Sequence, residues 1–332
     1  MRKQTYKIED VYINSVFSSV GKKEAEGPLS EYFDAKYTDD MLGQENWEMA
    51  ESTLMKNTVS GALTSAGKAP DEIDMILAGD LLNQCTASSY GLKELGIPYL
   101  GLYGACSTFV EGLCLGSMLL SGGFANNIAV GASSHFCSSQ KQYRFPLEYG
   151  EVRTPTSQWT VTGSGSAVLN RENGFAKISE VTIGKMVDLG ITDANNMGAA
   201  MAPAAADTIY THFKESGKTP EDYDLVITGD LSWVGSDILL ELLRDKGLDI
   251  HNHTDCGKII FDKNKQGVKS GGSGCGCVAS VFSGFFAKKL KENEIQKVLL
   301  LGTGALMSPT GVLVGESIAG VAHAVAIERV DS

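Results

Sequence analysis

The chain has 332 residues, 43% hydrophobic and 20% charged, with 38 glycines, 8 prolines and a formal net charge of −12. That length and apolar content can bury a large core in one unit or two similar lobes, and the scattered glycines point to tight connections rather than linkers. The acidic balance excludes a nucleic-acid surface, which needs a basic face, and no basic membrane-surface helix is present either.

The N-terminal stretch Met1 to Lys7 is polar. It lacks the apolar centre of a signal peptide, and no apolar run reaches the roughly 18 residues of a membrane span, so the expectation is a protein on the cytoplasmic side. Apolar periodicity predicts a strand near 11–17 and a helix over about 45–66. A strand near 74–79, a helix over 87–95, a strand near 98–103 and a helix over 106–121 follow. Strands near 126–132, 159–170 and 176–184 lead to a helix over 198–216, a strand near 224–229 and a helix over 234–246. The last elements are strands near 258–262, 297–302 and 311–314, with a helix over 277–291. Strands alternating with helices imply an α/β fold with mixed sheets.

The chain is built twice. Asp74-Met-Ile-Leu-Ala-Gly-Asp-Leu81 and Asp224-Leu-Val-Ile-Thr-Gly-Asp-Leu231 share one pattern at an offset of 224 − 74 = 150 positions. Each reads as a buried strand ending in a Gly-Asp corner. Cys106 and Cys277 each open an apolar helix that leads to a strand, at an offset of 277 − 106 = 171. The second half therefore carries 171 − 150 = 21 extra residues, placed at roughly 250 to 270. The expected lobes are 1–175 and 176–332.

Cys106 sits between an apolar run and an apolar helix, at Gly104-Ala-Cys-Ser107. A thiol there sees the positive end of a helix dipole and free N–H groups, which favour a thiolate and a developing oxyanion. The plainer reading is a small packed side chain at a tight turn. The seven cysteines form an odd set without CxxC spacing and read as reduced, mostly packed thiols. His251-Asn-His253 with Asp255 and Cys256 reads as a solvated loop rather than a metal site. The glycine runs at 163–165 and 271–276 lack phosphate-loop context and indicate close backbone packing. Asp80 and Asp230, related by the repeat, read as corners capping adjacent helices, with Asp230 also able to line a pocket.

The stretches Asp71-Glu-Ile-Asp-Met-Ile-Leu-Ala78, Tyr99-Leu-Gly-Leu-Tyr-Gly-Ala-Cys-Ser-Thr-Phe109 and Ala129-Val-Gly-Ala-Ser-Ser-His135 resemble successive signatures of the thiolase superfamily, in particular its ketoacyl synthase III type. That resemblance implies a thiolase-like fold of duplicated βαβαβαββ lobes with central buried helices and a nucleophilic cysteine at Cys106. Condensing enzymes of this type add a His and an Asn in the second half. Here the corresponding places look filled by Thr228-Gly-Asp230 and Gly271-Gly-Ser273.

More specifically, Gly79-Asp-Leu-Leu-Asn83, Val161-Thr-Gly-Ser-Gly165, Asp188-Leu-Gly-Ile-Thr-Asp193, Met201-Ala-Pro-Ala-Ala-Ala-Asp-Thr-Ile209 and Gly271-Gly-Ser-Gly-Cys-Gly-Cys277 resemble the stage V sporulation protein AD family. The resemblance implies a non-catalytic protein that binds dipicolinic acid (pyridine-2,6-dicarboxylate) for the developing spore. It acts there with other stage V sporulation A membrane proteins, peripheral to the spore inner membrane, and a homodimer is expected by analogy. The expected ligand-binding residues are Cys106, Ser107, His135, Arg144, Arg153, Asp230, Gly272 and Ser273, with His135, Arg144 and Arg153 supplying charge. No cofactor is expected beyond calcium as the ligand's own chelate. The alternative is an acyltransferase or condensing enzyme using Cys106 as nucleophile.

Overall fold

A computed structural model of the chain describes residues 3–143 and 152–330. In it the alternating elements form two copies of one βαβαβαββ unit. The first runs β1 (Tyr12–Val20), α1 (Trp47–Ser65), β2 (Met75–Gly79), α2 (Thr86–Leu92), β3 (Tyr99–Gly101), α3 (Thr108–Ser121), β4 (Asn127–Ser134), β5 (Gly163–Asn170). The second runs β6 (Ala176–Thr182), α4 (Met197–Ser216), β7 (Leu225–Thr228), α5 (Ser232–Asp245), β8 (His253–Asp255), α6 (Cys275–Val281), β9 (Lys297–Leu306), β10 (Ala319–Arg329).

Their strands share one mixed sheet ordered β3-β2-β4-β5-β1-β6-β10-β9-β7-β8, the same order read outward from the middle. Two short strands, Thr5–Lys7 and Ala35–Lys36, pair with β6 and β1 to make twelve among the described residues. The copies join where β1 meets β6 antiparallel, Tyr12 opposite Lys177 and Ile13 opposite Ala176.

Helices cover both faces of this sheet, which is why its strands read as unbroken apolar runs. In β9, Val298 and Leu300 pack into a central cluster with α3 and α6, while Leu299 and Leu301 pack outward against α4 and α5. In β2, Leu77 faces the centre, and Ile76 and Ala78 face α1. The two central helices are among the most buried parts of the chain. Every residue of Cys275–Val281 is buried, and the rings of Phe109 and Phe282 lie 6.1 Å apart. Beyond Val281 the helix passes through a π-helical turn, Phe282–Phe286, into Ala287–Lys291. Its close approach to β5 depends on missing side chains. A Cβ on Gly165 would stand 2.0 Å from the Ala279 carbonyl oxygen, and one on Gly276 would stand 2.2 Å from that of Gly163.

Two predicted strands need correction. The strand expected near 258–262 is a helical turn, Cys256–Ile259, because the Asp255 carboxylate accepts from Lys258 N and starts a helix there. The strand itself lies earlier, at β8, pairing parallel with β7 as β3 pairs with β2. The extra residues of the second half therefore begin after Asp255 rather than at Ile250. The strand expected near 311–314 is also helical, Pro309–Leu313, capped by Ser308 Oγ accepting from Gly311 N. The last strand is β10 instead, whose alternate Ala322, Ala324 and Ala326 pack on the alanine-rich face of α4. A short helix, Phe136–Tyr143, was not anticipated.

Gly165→Ala is expected to destabilise the protein by about 1–3 kcal/mol through overpacking against α6. A thermal melt checks this, and an unchanged midpoint would contradict the seating of α6.

Candidate functional site

Cys106 stands in a turn wedged between β3 and α3. Ala105 adopts φ +50°, a left-handed conformation that a non-glycine residue takes only where its surroundings enforce it. Here Ser107 Oγ donates to Gly104 O (2.7 Å), Thr108 Oγ1 donates to Ala105 O (2.7 Å) and Gly104 N donates to Thr108 Oγ1 (3.1 Å). From the other half, Cys275 Sγ donates to Ala105 O at 3.0 Å. Strand β9 closes in so tightly that a Cβ on Gly304 would lie 2.4 Å from the Gly104 carbonyl oxygen.

Across this turn lies Asp230, at the end of β7 and wholly enclosed. Its Oδ1 accepts from Thr303 Oγ1 (2.7 Å), and its Oδ2 accepts from Ser273 Oγ (2.7 Å) and Gly274 N (3.0 Å). The Cys106 thiol borders this group, its Sγ 3.8 Å from Ser273 Oγ. Burial raises the Asp230 pKa, opposed by the Thr303, Ser273 and Gly274 donors. Burial, and then the Asp230 charge, push the Cys106 thiol well above its ordinary value. The expected helix-dipole activation is therefore overturned, because desolvation and a neighbouring carboxylate outweigh one helix end.

Sequence reasoning treated Asp80 and Asp230 as equivalent corners, and the structure separates them. Asp80 caps α2, accepting from Leu82 N, Ser88 N and Ser88 Oγ. In the second half that work passes to Asp255, which accepts from Leu231 N, Ser232 N and Thr228 Oγ1. Asp230 is released from capping and turns toward Cys106.

Of the other expected ligand residues, Ser273 joins this cluster and Gly272 borders it, pairing in a two-residue parallel ladder with Trp159. Ser107 does not face it, since its hydroxyl is held by Gly104 O. His135 does not supply the expected positive charge. It is buried, its Nδ1 accepts from Cys137 N and its Nε2 lies 2.7 Å from Asp40 O, and desolvation lowers its pKa, so the ring is neutral at pH 7. Arg144 lies outside the described residues. Arg153 sits one ladder strand away from Ser273, its guanidinium carbon 4.7 Å from the Trp159 ring centroid. Lys23 Nζ lies 4.2 Å from the same ring, and Phe136 stacks on it at 3.9 Å.

Gln158 connects this aromatic and cationic group to Asp230. Its Nε2 donates to the Asp230 backbone oxygen (2.5 Å), its own backbone oxygen accepts from Arg153, and its buried Oε1 has no partner among the described residues. Lys23, Gln158, Trp159 and Thr303 were missed from sequence. Only Trp159 and Gln158 carried a signal, an aromatic and an amide at the lip of a predicted strand.

The histidines near 250 do not converge. His253 Nε2 is 2.9 Å from Thr228 Oγ1, and exposed His251 stands by Asp249. Among the described residues no group of three or more His, Cys, Asp or Glu side chains is arranged to hold a metal ion.

A sequence model described as stage V sporulation protein AD matches residues 2–328. The chain belongs to that family. It is 44% identical to the stage V sporulation protein AD of Bacillus subtilis (strain 168) over 329 residues, covering 98% of this chain and 97% of that one. The fold is shared with solved condensing-enzyme structures at low identity. The 3-oxoacyl-[acyl-carrier-protein] synthase III of Aquifex aeolicus VF5 superposes with a TM-score of 0.54 at 14% identity, covering 98% of this chain and 100% of that one. A variant of OleA from Xanthomonas campestris superposes with a TM-score of 0.61 at 15% identity, covering 96% and 97%. These likenesses establish the thiolase-like fold, and the family establishes a sporulation protein.

Two outcomes follow from the site's electrostatics. Iodoacetamide at pH 7.5 should modify Cys106 more slowly than glutathione, and Asp230→Asn should speed it; faster labelling of the unaltered Cys106, read by peptide mass, contradicts its assignment as a neutral thiol. Separately, burial raises Glu24 to about 8 from its ordinary 4.5, with Oε2 lacking a partner among the described residues. A carboxyl raised on folding gives stability that is complete below about pH 4.5 and is lost as pH climbs to about 8. Glu24→Gln should flatten that fall by at least about 1 kcal/mol in denaturant melts from pH 5 to 8.

Proposed function

We propose that this member of the stage V sporulation protein AD family binds dipicolinic acid without transforming it, and acts with membrane proteins of the same sporulation stage. The observation that carries the reading is the pairing of Arg153 and Lys23 over Trp159. A planar aromatic dianion needs two cations and a flat apolar contact. It would be repelled by the buried Asp230 carboxylate, whose backbone oxygen is bonded to Gln158 next to Trp159. The ligand's carboxylates are therefore assigned to Arg153 and Lys23, with Ser273 and Gly272 bounding the inner wall and Cys106 below them.

The fold's likeness to condensing enzymes supports a second reading, acyl transfer through Cys106. An acyl acceptor thiol must ionise or pass its proton to a base. Asp230 already accepts hydrogen bonds from three other donors, and its charge disfavours the thiolate. Binding without covalent chemistry is the better fit. A homodimer remains a proposal, and the open edge at β3, with Leu100 half exposed, is the surface it would use.

Isothermal titration should show binding of pyridine-2,6-dicarboxylate but not of its 2,3-isomer. Arg153→Gln should weaken binding about ten-fold or more, with Cys106→Ala changing it little. Equal or absent binding of the two isomers would sink the reading, and an acyl adduct on Cys106 after incubation with acyl thioesters would favour the second one.

A further inference from the structure

The residues that the second half adds after Asp255 leave a face unlike the rest of the molecule. Against a net charge of −12, the stretch 256–270 carries Lys258, Lys263, Lys265 and Lys269 and the single acidic residue Asp262. Lys258 and Lys263 hold their ammonium groups 4.3 and 4.7 Å from the ring centroid of Trp233, an indole left 37% exposed at the start of α5. Lys23 is tied to the same stretch, its Nζ donating to Gln266 O and its backbone oxygen accepting from Gln266 Nε2. Acidic side chains nearby in the chain are the buried Asp255 and Glu24, together with Asp237, one turn beyond Trp233, and Glu26.

Beside the lysines opens a cavity of about 610 Å³, at the outer edge of the sheet where Thr254 of β8 forms part of its wall. Its lining is mainly apolar, with Leu29, Ile259, Phe261, Phe285, Phe286 and Ile295; Lys258 also lines it, as do Lys289 and Glu294, which pair with each other. It contains none of the residues around Cys106 or Trp159, so the proposed ligand site does not account for it. Lysines, an exposed indole and an apolar cavity on one face match the three layers of a bilayer surface: phosphate headgroups, the interfacial zone and acyl chains. No helix among the described residues is long and apolar enough to cross a membrane, so contact with lipid would be made by a surface of this kind.

We propose that this face docks on an anionic phospholipid surface, the lysines taking headgroup phosphates, Trp233 lying at the interface and the cavity receiving an acyl chain. Charge complementarity selects anionic lipid over a neutral one. The cavity and indole select lipid over an acidic peptide that would engage the lysines alone.

The test is co-sedimentation of the full chain with vesicles of phosphatidylglycerol and phosphatidylcholine, compared with phosphatidylcholine alone. Binding to the anionic vesicles should be about ten-fold stronger in low salt and fall steeply as sodium chloride is raised. It should drop about ten-fold in Lys258→Glu/Lys263→Glu and in Trp233→Ala, and persist in Lys214→Glu, which changes an exposed lysine on α4. Should the double variant melt at a lower temperature than the unaltered chain, the exposed Lys263→Glu alone gives the reading. Equal binding to both vesicle types, no binding to either, or unchanged binding by folded lysine variants overturns the proposal; capture of an acidic peptide without vesicle binding does so as well.

Discussion

The carboxyl group of Asp230 holds together the parts of the chain that make the central site. Its oxygens accept from Thr303 on strand β9 and from Ser273 and Gly274 in the segment leading into α6, while the Asp230 backbone oxygen accepts from Gln158 of the first half, so one residue ties elements of both halves around a single point. A buried carboxylate is tolerated only when its lone pairs are filled, and losing one donor leaves a desolvated charge. The placing of Ser273, Gly274 and Thr303 follows from that requirement. So does the state of the thiol, which cannot ionise readily next to the same charge.

The duplicated architecture explains how such a group came to be available. In the first half Asp80 is consumed in capping α2; in the second, Asp255 at the end of β8 holds the corresponding corner and frees Asp230 to point inward. Two copies of one fold thus reach different chemistry through the reassignment of one hydrogen-bonding role. Beyond Asp255 the second copy departs further, adding the lysine-bearing stretch that borders an apolar cavity.

Most of the fold was legible in the sequence because its signals are periodic and repeated. The Gly-Asp-Leu corners and the two cysteine-headed helices located the duplication, and the family resemblance implied the βαβαβαββ order of each lobe and its central helices. What escaped had a physical reason. β10 alternates alanines because it faces alanine-rich α4, and small residues carry little strand signal. The turn at Cys256–Ile259 was read as a strand from its apolar content, whereas its Asp255 cap decides the matter. At the site, Cys106, Asp230 and Ser273 were anticipated as neighbours. The neutral state of His135 and the gathering of Lys23, Gln158 and Trp159 depend on contacts between distant segments, which no local pattern encodes.

The central claim is that the ligand is held at the cationic lip and not by the cysteine. A crystal structure of the chain with dipicolinate tests it most directly. The account expects the pyridine ring beside Trp159, its carboxylates on Arg153 and Lys23, with Cys106 and Ser273 still gathered on an undisturbed Asp230. A ligand bonded to or resting on Cys106, with Asp230 displaced from Thr303 and Gly274, would contradict it.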